Sequence, residues 1–119
     1  MTAAAPWDVE TARSIERAVL DYFEGWFEGD TTRMERALHP DLVKRQAGER
    51  LAVTTAERML ELTRAGEGRA DAGPVEIEIE DVHDDVASVT VHGGVYHEYL
   101  HLVRTSAGWK IANTLWRFA

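Results

Sequence analysis

The chain has 119 residues, no cysteine, and 13 basic against 21 acidic side chains, which give a formal net charge of −8. A chain of this length can bury a core without covalent staples, and the lack of cysteine excludes disulfides and thiolate metal sites. Residues 67–98 carry nine acids against one base, Arg69, which argues against a nucleic-acid partner. No apolar run of about 18 residues and no signal-peptide pattern is present, so we expect one cytoplasmic domain over residues 1–119 with no membrane partner.

Residues 9–28 show the period of an amphipathic helix. The apolar stripe of this segment consists of Ile15, Val19, Tyr22 and Trp26, widened by Ala18, Phe23 and Phe27. Asp8 is placed to cap the amino end of the helix, and Gly29 is placed to end it in a left-handed conformation. The pattern therefore predicts a long first helix with an aromatic-rich buried face.

The middle of the chain is less regular. A second short helix is expected to begin at Asp30 or Thr32 and to end at His39, because Pro40 disfavours its continuation. Short strands are expected at residues 42–43 and 51–53. A third helix follows, holding Met59, Leu60 and Leu62, and residues 66–74 form a glycine-rich loop.

From Val75 onward the period changes to two. Apolar residues alternate with glutamates over residues 75–80, and further strands are expected at residues 86–92, 95–104 and 109–118. Helices followed by an antiparallel meander are typical of the α+β class.

The segment from His97 to His101 spells H-E-x-x-H, the zinc-protease signature, which works only on a helix. Its surroundings are rich in β-branched and aromatic residues, which favour a strand. On a strand the two histidine Cα atoms would lie roughly 13 Å apart, too far to bind one ion together. We therefore expect no metal site.

Alternation along the last two strands groups the candidate functional residues. One face of residues 95–104 is expected to hold His97, Tyr99, His101 and Val103, and the other Tyr96, Glu98, Leu100 and Leu102. In the last strand one face is expected to hold Trp109, Ile111, Asn113 and Leu115.

Four polar candidates each have a functional and a structural interpretation. Asn113 could orient a ligand or be a satisfied core amide, because a buried amide without partners costs about 1–3 kcal/mol. His101 could be a general acid or base or a packed ring. Glu98 could act as a base if it turns inward or be solvated near the strand start, and His39 could line a pocket mouth or cap a helix.

Several ordered segments together resemble the nuclear transport factor 2-like superfamily, in its "putative lumazine-binding" branch. The segments are Tyr22-Phe23-Glu24-Gly25-Trp26, Gly29-Asp30, Ala37-Leu38-His39-Pro40-Asp41, residues 81–89, Tyr99-Leu100-His101-Leu102 and residues 109–116. The resemblance implies a cone, a cystatin-like roll in which a strongly curved antiparallel sheet wraps three helices, with a pocket between them and pairing of two chains through the sheet. Members such as ketosteroid isomerase, scytalone dehydratase and SnoaL-like polyketide cyclases use pocket Asp, His or Tyr residues without a cofactor, and others only bind molecules.

The leading hypothesis is a cofactor-free homodimer that binds a small, largely apolar or aromatic molecule between sheet and helices. The expected ligand-binding residues are Tyr22, Trp26, His39, Met59, Tyr99, His101, Asn113 and Trp116. The alternative is an acid–base enzyme of isomerase, dehydratase or cyclase type, with His101 moving a proton, Tyr99 or Tyr22 as donor and Glu98 as partner. A third possibility is a protein-interaction module that uses the exposed sheet face.

Overall fold

The structure, a computed structural model, describes residues 7–119. Its elements are α1 Val9–Glu28, α2 Thr31–Ala37, β1 Leu38–Gln46, β2 Ala52–Thr55, α3 Ala56–Arg64, β3 Val75–His83, β4 Val86–Gly93, β5 Tyr96–Thr105 and β6 Gly108–Phe118. A 3-10 turn, Arg69–Asp71, lies between α3 and β3. None of the helices formed by residues 7–119 has the length and apolar character needed to span a membrane.

The boundaries of α1 follow from its capping residues. The Asp8 carboxylate accepts a hydrogen bond from the Thr11 backbone N at 2.7 Å, and Gly29 ends the helix with a φ of 69°. Such a positive φ costs a glycine little because it has no Cβ. Asp30 then caps α2 by accepting from the Arg33 backbone N at 3.1 Å. The predicted first two helices are therefore confirmed, although α2 ends at Ala37 rather than at His39.

A buried carboxylate joins the two helices. Asp21, on α1, pairs with Arg33 at 3.0 Å and with Arg36 at 2.9 Å, both from α2. Burial alone would raise the pKa of Asp21, but the hydrogen bonds with the two arginines outweigh burial and lower it. These ion pairs hold α2 against α1, and the chain continues from α2 directly into β1.

The six strands form one curved sheet in the order β2-β1-β6-β5-β4-β3. Strands β1 and β6 run parallel, and every other neighbouring pair is antiparallel. The predicted α+β class and its three helices are confirmed. The sheet is mixed rather than wholly antiparallel, because α2 leads directly into β1, which lies beside the last strand of the chain.

The core lies between the helices and the inner face of the sheet. The stripe of α1 packs as predicted with residues of β4, β5 and β6 in one hydrophobic cluster, in which Trp26 and Phe27 are partly buried and the rest of the stripe is buried. Its fully buried members include Ile15, Val19, Phe23, Leu100 and Ile111.

The inner face of β5 is the one that holds its leucines. Tyr96, Glu98 and Leu100 are buried, whereas Tyr99 is 53% exposed and His101 is also exposed. The predicted grouping of the β5 residues by face is confirmed. Tyr99 and His101 were expected to line a pocket between sheet and helices, and this expectation is wrong, because both residues lie on the outer face of the sheet.

A β-bulge at Ala112 changes the faces of β6. His101 pairs with Asn113 and Leu102 pairs with Ile111, so Ala112 has no partner on β5. Alternation therefore skips one residue, as it does at any bulge. Ile111 lies inside, but Asn113 lies outside and Thr114 is buried. The predicted common face for Ile111 and Asn113 is wrong for this reason.

The strand predicted for the H-E-x-x-H segment is confirmed, because all five of its residues lie in β5. His97 and His101 are four residues apart on an extended strand, which separates their Cα atoms by roughly 13 Å. The helical geometry that the zinc signature requires is therefore not present.

Deletion of Ala112 tests the bulge. Because Leu102 pairs with Ile111 and His101 pairs with Asn113, it would restore regular pairing with β5 and keep Ile111 and Thr114 both facing inward. Deletion of Leu115 would instead turn Trp116 outward, since a one-residue shift reverses every face beyond it. We expect the free energy of unfolding, measured by urea denaturation, to fall further for the Leu115 deletion than for the Ala112 deletion, by at least about 1 kcal/mol. Ala112→Ser keeps the bulge and should change it by less than about 0.5 kcal/mol. An Ala112 deletion that costs as much as the Leu115 deletion would contradict this account of β6.

Candidate functional site

Four polar side chains meet in the interior, and we call them the polar cluster: Tyr22 from α1, Lys44 from β1, Glu98 from β5 and Thr114 from β6. Their exposed fractions are 2%, 7%, 1% and 1%. Burying a charged group is costly unless it is paired and hydrogen-bonded. The cluster must therefore satisfy its own charges and hydrogen bonds.

The hydrogen bonds of the polar cluster converge on one carboxylate oxygen. Glu98 Oε1 accepts from the Tyr22 hydroxyl at 2.9 Å and from the Thr114 hydroxyl at 3.0 Å. Lys44 Nζ donates to the Tyr22 oxygen and lies 3.9 Å from Glu98 Oε2. Within residues 7–119 no buried side-chain nitrogen or oxygen lacks a partner. Amine, phenol and carboxylate therefore form a continuous chain along which a proton can move.

Aromatic rings surround the amine of this cluster. Lys44 Nζ lies 5.0 Å from the ring centre of Tyr22, 5.1 Å from Trp116, 5.9 Å from Trp26 and 6.0 Å from Tyr96. We call these four rings the aromatic box. Rings at such distances attract a cation through their electron-rich faces. Trp26 and Trp116 are only partly buried, so the box reaches the surface on their side.

Burial sets the protonation states in the cluster. It lowers the pKa of Lys44, and the attraction of the Glu98 carboxylate opposes this effect only in part. Burial, followed by the charge of Glu98, raises the pKa of Tyr22 well above its usual value. The phenol therefore stays protonated, and the amine reaches its neutral form more readily than an exposed lysine does.

The loop of residues 66–74 covers one side of the aromatic box. Trp26 Nε1 donates to the Tyr96 hydroxyl at 3.0 Å, and that hydroxyl donates to the carboxylate of Asp71 in the loop. Burial and the hydrogen bond to Asp71 raise the pKa of Tyr96. A Cβ at Gly68 would overlap the Trp26 indole, so the absence of a side chain lets the loop lie directly on that ring.

A separate groove lies at the opposite end of the strands, beside the β5–β6 turn. Its volume is about 820 Å³. The apolar part of its lining consists of Leu38, Pro40, Ala56, Leu60 and Ala107. Its two basic residues are already engaged, because Lys110 Nζ donates to the Arg36 carbonyl at 2.6 Å and Arg36 binds Asp21. The groove is large enough for a ligand, and the charged side chains left in its lining are acidic: Glu35, Asp41 and Glu57.

The structure brings four of the predicted site residues together. Tyr22, Trp26 and Trp116 belong to the aromatic box, and Glu98 is buried beside them rather than solvated. The predicted aromatic face of α1 therefore does reach a polar site between helix and sheet.

The other predicted site residues lie elsewhere. Met59 is buried in the hydrophobic core, and His39 lines the groove, where its Nδ1 accepts from the Asp41 backbone N at 3.0 Å. On the outer face, His101 Nδ1 lies 2.9 Å from Asn113 Nδ2, and Tyr99 is exposed. None of these five belongs to the polar cluster.

Sequence reasoning missed Lys44, Thr114, Tyr96 and Asp71. Alternation in β1 indicates that Lys44 points inward, because it shares a face with the apolar residue Leu42. The leucines of β5 likewise indicate that Tyr96 and Glu98 point inward. The bulge hid Thr114, and nothing in the glycine-rich loop distinguishes Asp71 from Glu67, the other acid of the loop.

A double-mutant cycle tests the coupling of Lys44 and Glu98. Lys44→Met and Glu98→Met should each lower the free energy of unfolding by about 3 kcal/mol, because each leaves buried polar partners uncompensated. The double variant should lose less than the sum by at least about 1 kcal/mol. In the exposed pair of Arg58 and Glu61, Glu61→Ala should cost less than about 1 kcal/mol. Simple additivity in the buried pair would disprove the coupling.

Within residues 7–119, no group of three or more His, Asp or Glu side chains is arranged to hold a metal ion.

Comparison with known proteins identifies the fold and the family. Similar solved structures include an NTF-2 like protein from Silicibacter pomeroyi (16% identity, TM-score 0.76, covering 92% of this chain and 97% of that one). A second is a ketosteroid isomerase-like protein from Erwinia carotovora atroseptica (21% identity, TM-score 0.62, covering 94% of this chain and 98% of that one). A third is an NTF2-like protein with a cystatin-like fold from Novosphingobium aromaticivorans (18% identity, TM-score 0.67, covering 92% of this chain and 82% of that one). No curated protein matches the chain. The family model described as "Putative lumazine-binding" matches residues 10–117, and the chain therefore belongs to that family, with the fold of the NTF2-like structures.

Proposed function

We propose that the protein binds a small, largely aromatic organic molecule at the aromatic box, with the polar edge of the ligand directed at the polar cluster. The observation that carries the proposal is the convergence of Tyr22, Lys44 and Glu98 inside a wall of aromatic rings. Replacing a buried ion pair with apolar residues is often neutral or stabilising. A cluster of this kind is therefore better explained by ligand recognition than by stability.

The chemistry of the site indicates which ligand suits it. The partly buried indole of Trp116 offers a face on which a planar ring can stack, and a ring stacked on Trp26 would take the place of Gly68 in the loop. Lys44 and Tyr22 can donate hydrogen bonds to a carbonyl or oxyanion, and Glu98 can accept one from an N–H or O–H group. The family description names lumazine, a planar ring with carbonyl and N–H groups on its edge, and such a molecule matches both features.

The aromatic box is a better candidate than the larger groove. The groove has the volume of a ligand site, but its basic residues are held by the protein itself and its apolar lining is widely open. Small-molecule sites combine apolar walls with a few convergent polar groups. In the described chain, the cluster around Lys44 provides that convergence.

A cofactor-independent acid–base enzyme is the second candidate. It is favoured by the contact between the Tyr22 phenol and the Glu98 carboxylate, since an enzyme needs a proton donor and a base within hydrogen-bond reach of the substrate. A ketosteroid isomerase-like protein among the similar structures agrees with this class of chemistry. His101 lies on the outer face, so the proton-moving groups of this proposal are Glu98 and Lys44.

Isothermal titration calorimetry with lumazine tests the binding site. Trp26→Ala should weaken binding about ten-fold, because it removes one stacking surface, and Glu98→Gln should also weaken it. His39→Ala, in the groove, is the matched control and should leave the affinity unchanged. Loss of binding in His39→Ala with full binding in Trp26→Ala would move the site to the groove. Turnover of an enolisable ketone by the parent but not by Glu98→Gln would favour the enzyme over a simple binder.

A homodimer formed through the outer face of the sheet is the second part of the proposal. Three exposed apolar residues lie in one row across neighbouring strands: Val53, Leu115 and Tyr99, with exposed fractions of 60%, 43% and 53%. Arg45 lies in the same row, and Glu78 lies at its far end on β3. A two-fold axis along the strands between β5 and β6 would place Leu115 of each chain against Tyr99 of the other. It would also bring the basic side of one sheet over the acidic side of its partner.

Sedimentation velocity tests the dimer. The parent should sediment as a dimer, and Leu115→Asp should sediment as a monomer, because a charge at the centre of the row would be buried without a partner. Val9→Asp, which changes an exposed residue of α1, should remain a dimer. A parent protein that stays monomeric at high concentration would contradict the dimer and would also argue against an interaction module that uses this face.

A further inference from the structure

We propose that Lys44 is a nucleophile whose amine forms an imine with an aldehyde or ketone held in the aromatic box. This proposal rests on the proposed function and narrows the ligand to carbonyl compounds. It starts from the position of the amine, which lies inside a wall of four rings, touches a phenol, and has one carboxylate at 3.9 Å.

The hydrogen bonds around Lys44 leave its lone pair available. The amine donates to the Tyr22 oxygen, and the Tyr22 proton is directed at Glu98 Oε1. In the neutral amine, no described hydrogen bond then uses the nitrogen lone pair. Glu98 Oε2 lies 3.9 Å away, beyond hydrogen-bond distance, so the carboxylate stabilises the ammonium less than a direct ion pair would.

Burial favours the reactive form. A lysine desolvated in an apolar pocket is more often neutral near pH 7, and neutral lysine is the form that attacks carbonyl carbon. Burial lowers the pKa of Lys44, in agreement with this requirement. The rings of the aromatic box attract a cation, and a protonated imine is also a cation, so the box stabilises the product as well as the ammonium.

The covalent step balances without a further reactant. The Nζ lone pair attacks the carbonyl carbon, a C–N bond forms, and the carbonyl oxygen takes up a proton to give a carbinolamine. The hydroxyl then leaves as water, the C–O bond breaks and the C=N bond forms. The amine therefore loses two protons to the departing water. Tyr22 contacts both the amine and Glu98 and can pass a proton between them.

The chain contains its own internal control, because Lys44 and Lys110 are its two lysines. Lys110 lies at the groove and donates to the Arg36 carbonyl at 2.6 Å, without an aromatic box or a buried carboxylate. Ordinary exposure would favour reaction at Lys110. If Lys44 reacts faster than Lys110, the aromatic box and the buried polar partners of Lys44 must therefore be the cause.

The experiment traps the imine. The folded protein is incubated at pH 7 with benzaldehyde and sodium cyanoborohydride, and adducts are located by peptide mass spectrometry. We expect a benzyl adduct on Lys44 to form at least about ten-fold faster than on Lys110, because the buried amine is the better nucleophile. In urea-unfolded protein the two lysines should react at similar rates. Lys110→Arg should label Lys44 at the parent rate.

The outcomes separate this proposal from the proposed function. Competition of benzaldehyde with lumazine is measured in the absence of reductant. Competition without an adduct on Lys44 would overturn the nucleophile and leave the binding site intact. Adducts confined to Lys110 and the amino terminus would also overturn the nucleophile. If neither lumazine nor benzaldehyde binds and no Lys44 adduct forms, both proposals fail.

Discussion

The buried carboxylate of Glu98 is the constraint on which the site depends. It is 1% exposed and accepts hydrogen bonds from two hydroxyls, while the amine of Lys44 supplies the only described positive charge beside it. Because a lone buried charge is strongly destabilising, helix α1 and strands β1, β5 and β6 must each place one polar group at the same point. The positions of these elements and the contents of the site are therefore linked.

The same arrangement explains why the two ends of the sheet differ in character. Around Glu98 the interior is polar but enclosed by rings, and no buried side-chain nitrogen or oxygen within residues 7–119 lacks a partner. At the β5–β6 turn the groove has a volume of about 820 Å³, but its basic residues Arg36 and Lys110 serve to join α1, α2 and β6. The groove and the polar cluster thus lie at different ends of the sheet, and the proposed function is based on the polar cluster.

The proposals share one physical basis. An amine, a phenol and a carboxylate in a poorly solvated aromatic setting can recognise a planar ring, hold its polar edge and move a proton. Binding, acid–base turnover and imine formation at Lys44 use the same contacts, and they differ in which atom of the ligand meets the amine. On the outer face, the exposed row that includes Tyr99 and Leu115 has no role in that chemistry and suits self-association instead.

The sequence by itself determined the elements of the fold. The helix caps at Asp8 and Gly29, the helical stripe of α1 and the two-residue period of the last four strands are local signals, so they could be read from the chain and are confirmed. The aromatic half of the site was predictable for the same reason. Only the tertiary structure decided the rest. The bulge at Ala112 depends on pairing with β5, and Lys44 meets Glu98 only because β1 lies parallel to β6, which no local pattern encodes.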